Sequence, residues 1–146
     1  MKVSKNFYAQ EFVPLDYWEE FKESSMAAID DRIIITVQAL RDNIGHPLTI
    51  NTWHSGGERY ESGLRVWGMK NYSVLSQHTY GRAVDIICDQ YLAQELRDHI
   101  LKNPRKYPHI TRMEDRVSWL HVDLKDTGQG NIVLFEPSNR FNYGLY

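Results

Sequence analysis

Cysteine is nearly absent: Cys88 stands alone among 146 residues. A single cysteine makes neither an internal disulfide nor a multi-cysteine zinc site, so the chain suits a reducing compartment. No run approaches the ~18 apolar residues of a membrane-spanning helix. No excess of one charge is present either. Seventeen Lys and Arg face nineteen Asp and Glu, a formal net charge of −2, which gives no long-range attraction to nucleic acid phosphates or anionic lipid. The opening MKVSKNFYAQEF has no apolar stretch of the kind a secretory signal needs, so the expectation is synthesis in the cytoplasm without a signal peptide. Internal repeats, low-complexity tracts, charge blocks and linker-like stretches are all missing. What remains is 42% hydrophobic and 25% charged, enough apolar material for a core and too much for disorder. A chain of this length buries that core without disulfides. The expectation is a single domain over residues 1–146, monomeric, with no nucleic acid or membrane partner.

The pattern along the chain sets the class. Residues 4–22 mix Ser4 and Pro14 with Phe7, Tyr8, Phe12, Tyr17, Trp18 and Phe21, and read as short helical turns that pack aromatic rings on the body. Ile29, Ile33, Val37, Leu40 and Ile44 recur at steps of three and four and predict a helix over residues 25–44. Ser24 or Ser25 would cap it, Gly45 would end it and Pro47 would prevent continuation. Leu48–Thr52 is β-prone. Residues 53–76 form a long glycine-bearing loop, and such loops inside compact domains are often functional. Arg82–Cys88 reads as a strand, and Asp89 would cap a second helix running to Lys102 with Leu92, Leu96 and Ile100 on one face. Three further strands are expected at Ile110–Glu114, Trp119–Leu124 and Asn131–Phe135. This order is not the regular βαβ alternation of a parallel sheet. It predicts an α+β domain with helices on one face of a mostly antiparallel sheet.

Two segments carry chemistry. In Ser76–Ile86 (SQHTYGRAVDI), His78 ends a loop, Gly81 permits a tight bend, and Asp85 stands on the strand that follows. In Trp119–Leu124 (WLHVDL), alternation puts Leu120, Val122 and Leu124 on a core face and Trp119, His121 and Asp123 on the other. If the two strands are neighbours, His78, Asp85 and His121 converge. Two imidazoles and a carboxylate are the three protein ligands of many catalytic zinc sites, which keep a fourth position for water. Hydrolysis there also needs a general base and a donor for the developing oxyanion. Glu114 and Asp115 lie six or seven positions before His121 and either can overhang the metal. Arg65, in ESGLR, can bind a carboxylate or polarise a carbonyl. The other histidines have plainer readings: His46 at a helix end, His54 in a loop, His99 solvent-exposed on a polar helix side, and His109 at the start of a strand. Cys88 reads as a small buried side chain. Trp53, Trp67, Tyr80 and Trp119 sit near enough to the motifs to wall a cleft. Asp123 can orient a ligand or pair with Arg82 or Lys125.

SQHTYGRAVDI resembles the Ser-x-His-x-x-Gly-x-Ala-x-Asp pattern of the M15 peptidases, the zinc D-Ala-D-Ala carboxypeptidases, dipeptidases and L-alanyl-D-glutamate endopeptidases that share a fold with the hedgehog signalling domain. WLHVDL resembles the strand bearing that family's last histidine, and SGLR at Ser62–Arg65 resembles its Ser-Gly-x-Arg element. The opening SKNFYAQEF is similar to compact phage and prophage members. The resemblance implies a hedgehog/DD-peptidase-like fold, Zn2+ on His78, Asp85 and His121, a supporting hydrogen bond from Ser76, and substrate contact by Arg65. Gln77, Trp119 and Asp123 join Ser76 as supporting or substrate-binding residues. The implied activity is metal-activated hydrolysis of an amide bond in the peptidoglycan stem peptide at the bacterial cell wall, endolysin-like or as a D,D-carboxypeptidase. One position departs. Many members carry an acid three residues before the last histidine, where this chain has Ser118, so Glu114 or, second, Asp115 must be the base. That departure motivates an alternative, a non-catalytic zinc-binding module used for binding or phage assembly. An iron oxygenase, whose first two ligands sit one residue apart on a strand, is disfavoured by the spacing of His78 and Asp85.

Overall fold

The computed structural model describes residues 1–137; residues 138–146 of the expected domain lie outside them. Three α-helices and four strands are seen, in the order α1 (Leu15–Phe21), α2 (Asp31–Ile44), β1 (Ala83–Ile86), α3 (Ala93–Lys102), β2 (Arg112–Glu114), β3 (Leu120–Asp123) and β4 (Val133–Phe135), with short 3-10 turns between them. The class is α+β. No helix among the described residues is long and apolar enough to cross a membrane.

Helix α2 starts later than its periodicity predicts. Asp30 takes the N-cap: its carboxylate accepts the Arg32 N–H at 3.0 Å and pairs with the Arg32 guanidinium at 2.7 Å. Lys22–Ala28 form a 3-10 turn instead, so Ser24 and Ser25 cap nothing, and Ile29 reaches the core from extended backbone. The other end is as expected, with Gly45 left-handed at φ 72° and its N–H on the Arg41 carbonyl. Asp89 does not cap α3; Glu95 does, accepting the Leu92 N–H at 2.7 Å, and Leu92 faces solvent. The Leu48–Thr52 run makes only one bridge, Thr49 to Ile87. In the N-terminal segment Phe7 and Phe12 are buried edge to face, while Tyr8 and Phe21 are exposed.

The sheet is mixed, which corrects the expectation of a mostly antiparallel one. Its order is β1-β3-β2-β4. β3 pairs antiparallel with β1 and with β2, and β4 lies parallel to β2. The cause is occupancy of edges. Both edges of β3 are taken, so the chain leaving it must carry β4 past β2 to that strand's free edge, where it runs in the direction of β2.

Register sorts the residues into two faces. Val84, Val122 and Met113 form one row, with Ile86 and Leu120 beside it. This face is buried with Ile33, Val37 and Leu40 of α2 and Leu96 and Ile100 of α3 in one core cluster, so the helices do pack on one side. Each such side chain contributes roughly 1.5–3 kcal/mol by leaving water. The opposite face carries the row Asp85, His121, Glu114 and Phe135, and beside it Asp123 and Arg112.

Candidate metal centre

His78 lies off the sheet, on a 3-10 turn (Gln77–Tyr80) that leads into β1. Ser76 caps this turn, its Oγ accepting the His78 N–H at 3.2 Å, so Ser76 supports the histidine through its backbone and not its ring. Gly81 ends the turn at φ 65°, and a Cβ there would run into the Ala28 carbonyl, so only glycine fits. The turn drops the His78 ring against Asp85, and the β1–β3 register places His121 directly opposite Asp85. Ligand atoms of His78, Asp85 and His121 all lie within 4.8 Å of one another, and all three residues are buried.

The hydrogen bonds decide which ring nitrogens face inward. His78 Nδ1 is 2.8 Å from the Gly63 carbonyl, which only accepts, so Nδ1 carries the proton and the Nε2 lone pair points at Asp85 Oδ1, 3.3 Å away. His121 Nε2 donates to Asp123 Oδ2 at 2.8 Å, and its Nδ1 faces the same Asp85 oxygen at 2.9 Å. Two nitrogens and one carboxylate oxygen thus share a point, with the His78 tautomer fixed by Gly63 and the His121 ring held from behind by Asp123. The Asp85 oxygen lies 3.3 Å from His78 Nε2 and 2.9 Å from His121 Nδ1, close enough together for one ion with bonds of about 2 Å. The outer partners are those that orient metal-binding histidines. The group is able to hold a metal ion, and the donor set of two imidazoles and a carboxylate suits zinc.

Electrostatics favour a cation at this point. Burial pulls the His121 imidazole down, but its bonds to Asp123 and Asp85 outweigh that and hold it up at about 9. Burial pushes the Asp85 carboxyl up, and the neighbouring His78 and His121 bring it well below the usual carboxylate range. His78, fully enclosed, is lowered by burial first, against the pull of Asp85. Proton and metal compete for the same inward lone pairs. Asp123, fully buried, would be raised by burial, but His121 and Arg112 hold it at about 2. Its cationic partner is Arg112, whose Nη2 lies 2.7 Å from Asp123 Oδ2 and whose guanidinium stacks 4.2 Å over the Phe135 ring. Of the readings open for Asp123, it orients a ligand histidine, while Arg82 goes to the Leu124 carbonyl and Asp30.

This face floors a cleft of about 830 Å³, walled by the loop from Glu58 to His78. Glu114 lies in it, opposite His121 in the β2–β3 register. Burial raises the Glu114 carboxyl above its ordinary value, and among the described residues that carboxylate makes no hydrogen bond or ion pair. Asp115 is turned away: the alternation of the strand sends it to Arg97, 3.7 Å off, outside the cleft. Arg65 lines the cleft beside the metal group. Its Nη2 grips Asp85 Oδ2 at 3.0 Å and its Nε the Glu61 carbonyl at 2.8 Å, so it clamps the carboxylate whose other oxygen faces the histidines. Gln77 and Trp119 both line the cleft, and Gln77 Oε1 and Trp119 Nε1 are buried without a partner among the described residues. Trp53, Trp67 and Tyr80 do not wall it. Trp53 Nε1 caps the Val13 carbonyl, Trp67 is 85% exposed, and Tyr80 is exposed with its hydroxyl on the Val74 carbonyl. Tyr60 and Tyr72 take their place. His99 is not a free surface residue, since its Nε2 meets the Tyr107 hydroxyl at 2.6 Å.

Sequence reasoning missed Arg112 and Arg97. The first was legible, because in Arg112-Met113-Glu114 the arginine alternates onto the face of Glu114. The second carried a fainter mark, an arginine three positions before Ile100 on the buried side of α3. No family model, curated protein or solved structure matches the chain.

Proposed function

We propose that the chain is a zinc-dependent peptidase that hydrolyses an amide bond of the peptidoglycan stem peptide. The observation that carries this reading is the row Asp85, His121 and Glu114 with His78 beside it: three ligand atoms that converge, and a half-buried carboxylate on the next strand. That pairing supports metal-assisted hydrolysis; the amide bond and the stem peptide as substrate rest on the likeness of SQHTYGRAVDI, SGLR and WLHVDL to the M15 pattern.

His78, Asp85 and His121 would hold the zinc, which would supply Lewis acidity to water and to the scissile carbonyl. Glu114 takes the proton from the water and returns it to the leaving amine, a role suited by a carboxyl raised by burial. Arg65 and Asp123 hold the ligands in place from behind. Glu114 on β2 also answers the absence of an acid at Ser118: the register supplies a carboxylate beside the last histidine from the neighbouring strand. That placement supports the peptidase reading over the non-catalytic module.

The test is mass analysis of fragments released from purified peptidoglycan, with bound zinc measured in parallel. The wild type is expected to release stem-peptide fragments. Glu114→Gln is expected to keep its zinc and lose roughly 10²–10⁴-fold in rate. A zinc-loaded wild type that releases nothing overturns the reading and favours the binding module.

A further inference from the structure

Arg97 is 3% exposed, and its cation is not spent on a close ion pair. The guanidinium leaves α3 and enters the turn between β2 and β3. Its Nη1 donates to the Trp119 carbonyl at 3.1 Å and, more weakly, to that of Glu114 at 3.4 Å. Its Nη2 donates to the Val117 carbonyl at 3.1 Å. Gln94, one turn earlier on α3, accepts from Nε and Nη2 at 3.2 and 3.1 Å and fixes the fork. Two main-chain carbonyls of the turn, those of Val117 and Trp119, and that of Glu114 at the end of β2 thus meet one planar group, a grip that a guanidinium fork provides. The turn needs holding. Arg116 within it sits at φ 59°, a left-handed conformation that a side chain of this kind adopts at a cost. Its own ion pair, to Glu136, is exposed and holds little.

The two ends of this turn are cleft residues. Glu114 precedes it and Trp119 closes it, two positions before His121. We infer that Arg97 is a positioning residue: one buried guanidinium on α3 gathers the β2–β3 turn and so steadies Glu114, where the turn begins, and Trp119, where it ends, relative to the metal group. It touches none of the three ligands, whose places come from β1, β3 and the 3-10 turn before β1. The two layers are therefore separable: sheet register sets the ligands and the strand position of Glu114, while Arg97 holds the turn that leaves Glu114 and ends at Trp119. The consequence for turnover rests on the peptidase reading; the consequence for the turn does not.

The experiment compares wild type, Arg97→Lys and Arg97→Met, each labelled with fluorotryptophan. The Trp119 fluorine resonance is identified by its loss in Trp119→Phe. In Arg97→Lys the charge stays but the three-carbonyl grip is lost. The Trp119 resonance should move, amide exchange over 115–119 should quicken, and zinc affinity in a chelator competition should stay at the wild-type value. Peptide release should fall roughly 10²-fold, in kcat more than in KM, because a base misplaced by about 1 Å costs that much. Arg97→Lys combined with Glu114→Gln should be no slower than Glu114→Gln alone, since both remove one function. Should Arg97→Met fail to fold, Arg97→Lys decides alone. An unmoved Trp119 signal with unchanged exchange in Arg97→Lys overturns the inference, and so does loss of zinc together with the turn. If the wild type releases no peptide, the peptidase reading fails, while the fluorine and exchange measurements still decide the role of Arg97.

Discussion

Along β3, Leu120 and Val122 turn toward the helices while His121 and Asp123 turn toward the cleft, so a single strand serves two interiors of opposite kind. The helix-side face is held by area. Leu120, Val122, Val84, Met113 and Ile86 are all at most 1% exposed, and their contribution is non-directional, so a neighbour of similar volume serves nearly as well. The cleft-side face is almost as enclosed but is made of charge. Asp85, His121, Asp123 and Arg112 were all taken out of water, and each is tolerable only because a named partner stands within 3 Å or so. The difference teaches where function resides in a small domain. Apolar burial stabilises the fold with room for substitution, while the polar face uses some of that stability to keep inward lone pairs at fixed distances.

Three substitutions probe this contrast, and the largest effect belongs to the apolar face. Leu120→Ala should cost about 2–5 kcal/mol, read as a fall in the urea midpoint with unchanged slope, because a fully buried side chain leaves a cavity. Its metal affinity, measured below the unfolding transition, should stay near that of the wild type. Coupled loss of affinity would break the separation of the two faces. On the other side of the same strand, Asp123→Asn should reach the metal as well as the fold, since Arg112 loses its buried counter-charge. The amide still fills the space, but the His121 Nε2 proton loses its charged acceptor, so zinc affinity should drop by about 10–100-fold in a chelator competition. An unchanged affinity would show that His121 needs no orienting partner.

The smallest effect is expected outside both faces, at the α2 N-cap. Asp30→Ala should cost about 1 kcal/mol at neutral pH. The Asp30 carboxyl is held down at about 2, first by its hydrogen bond to the Arg32 side chain. A depressed carboxyl stabilises the folded state above its unfolded value, near 4, and that contribution is lost as pH falls toward 2. The gap between variant and wild type in urea unfolding should therefore be full at pH 7 and shrink below pH 4. A gap that stays constant to pH 3 would mean that the cap acts without its charge.

Much of the metal group could be read before any coordinates. Alternation in WLHVDL separates His121 from Leu120 and Val122, and Gly81 after His78 marks a turn into the strand of Asp85; both are local consequences of backbone geometry. Glu114 and Asp115 could not be separated in the same way, because a one-residue step reverses a side chain and the strand's end was not known to within one residue. The caps of α2 and α3 were misplaced for a related reason. Ser24, Ser25 and Asp89 are all competent caps by type, and only the three-dimensional fit selects Asp30 and Glu95.

The sequence by itself determined the α+β class, the apolar face of each element, and the residue types able to bind a cation, because these follow from periodicity and side-chain chemistry within a few residues. Tertiary structure alone decided the parallel placement of β4, the choice of Glu114, the turning of Arg65 onto Asp85, and the reach of Arg97 into the β2–β3 turn. Each of these depends on which edge or side chain is already occupied by a residue far away in the chain, and nothing in the local pattern records that occupancy.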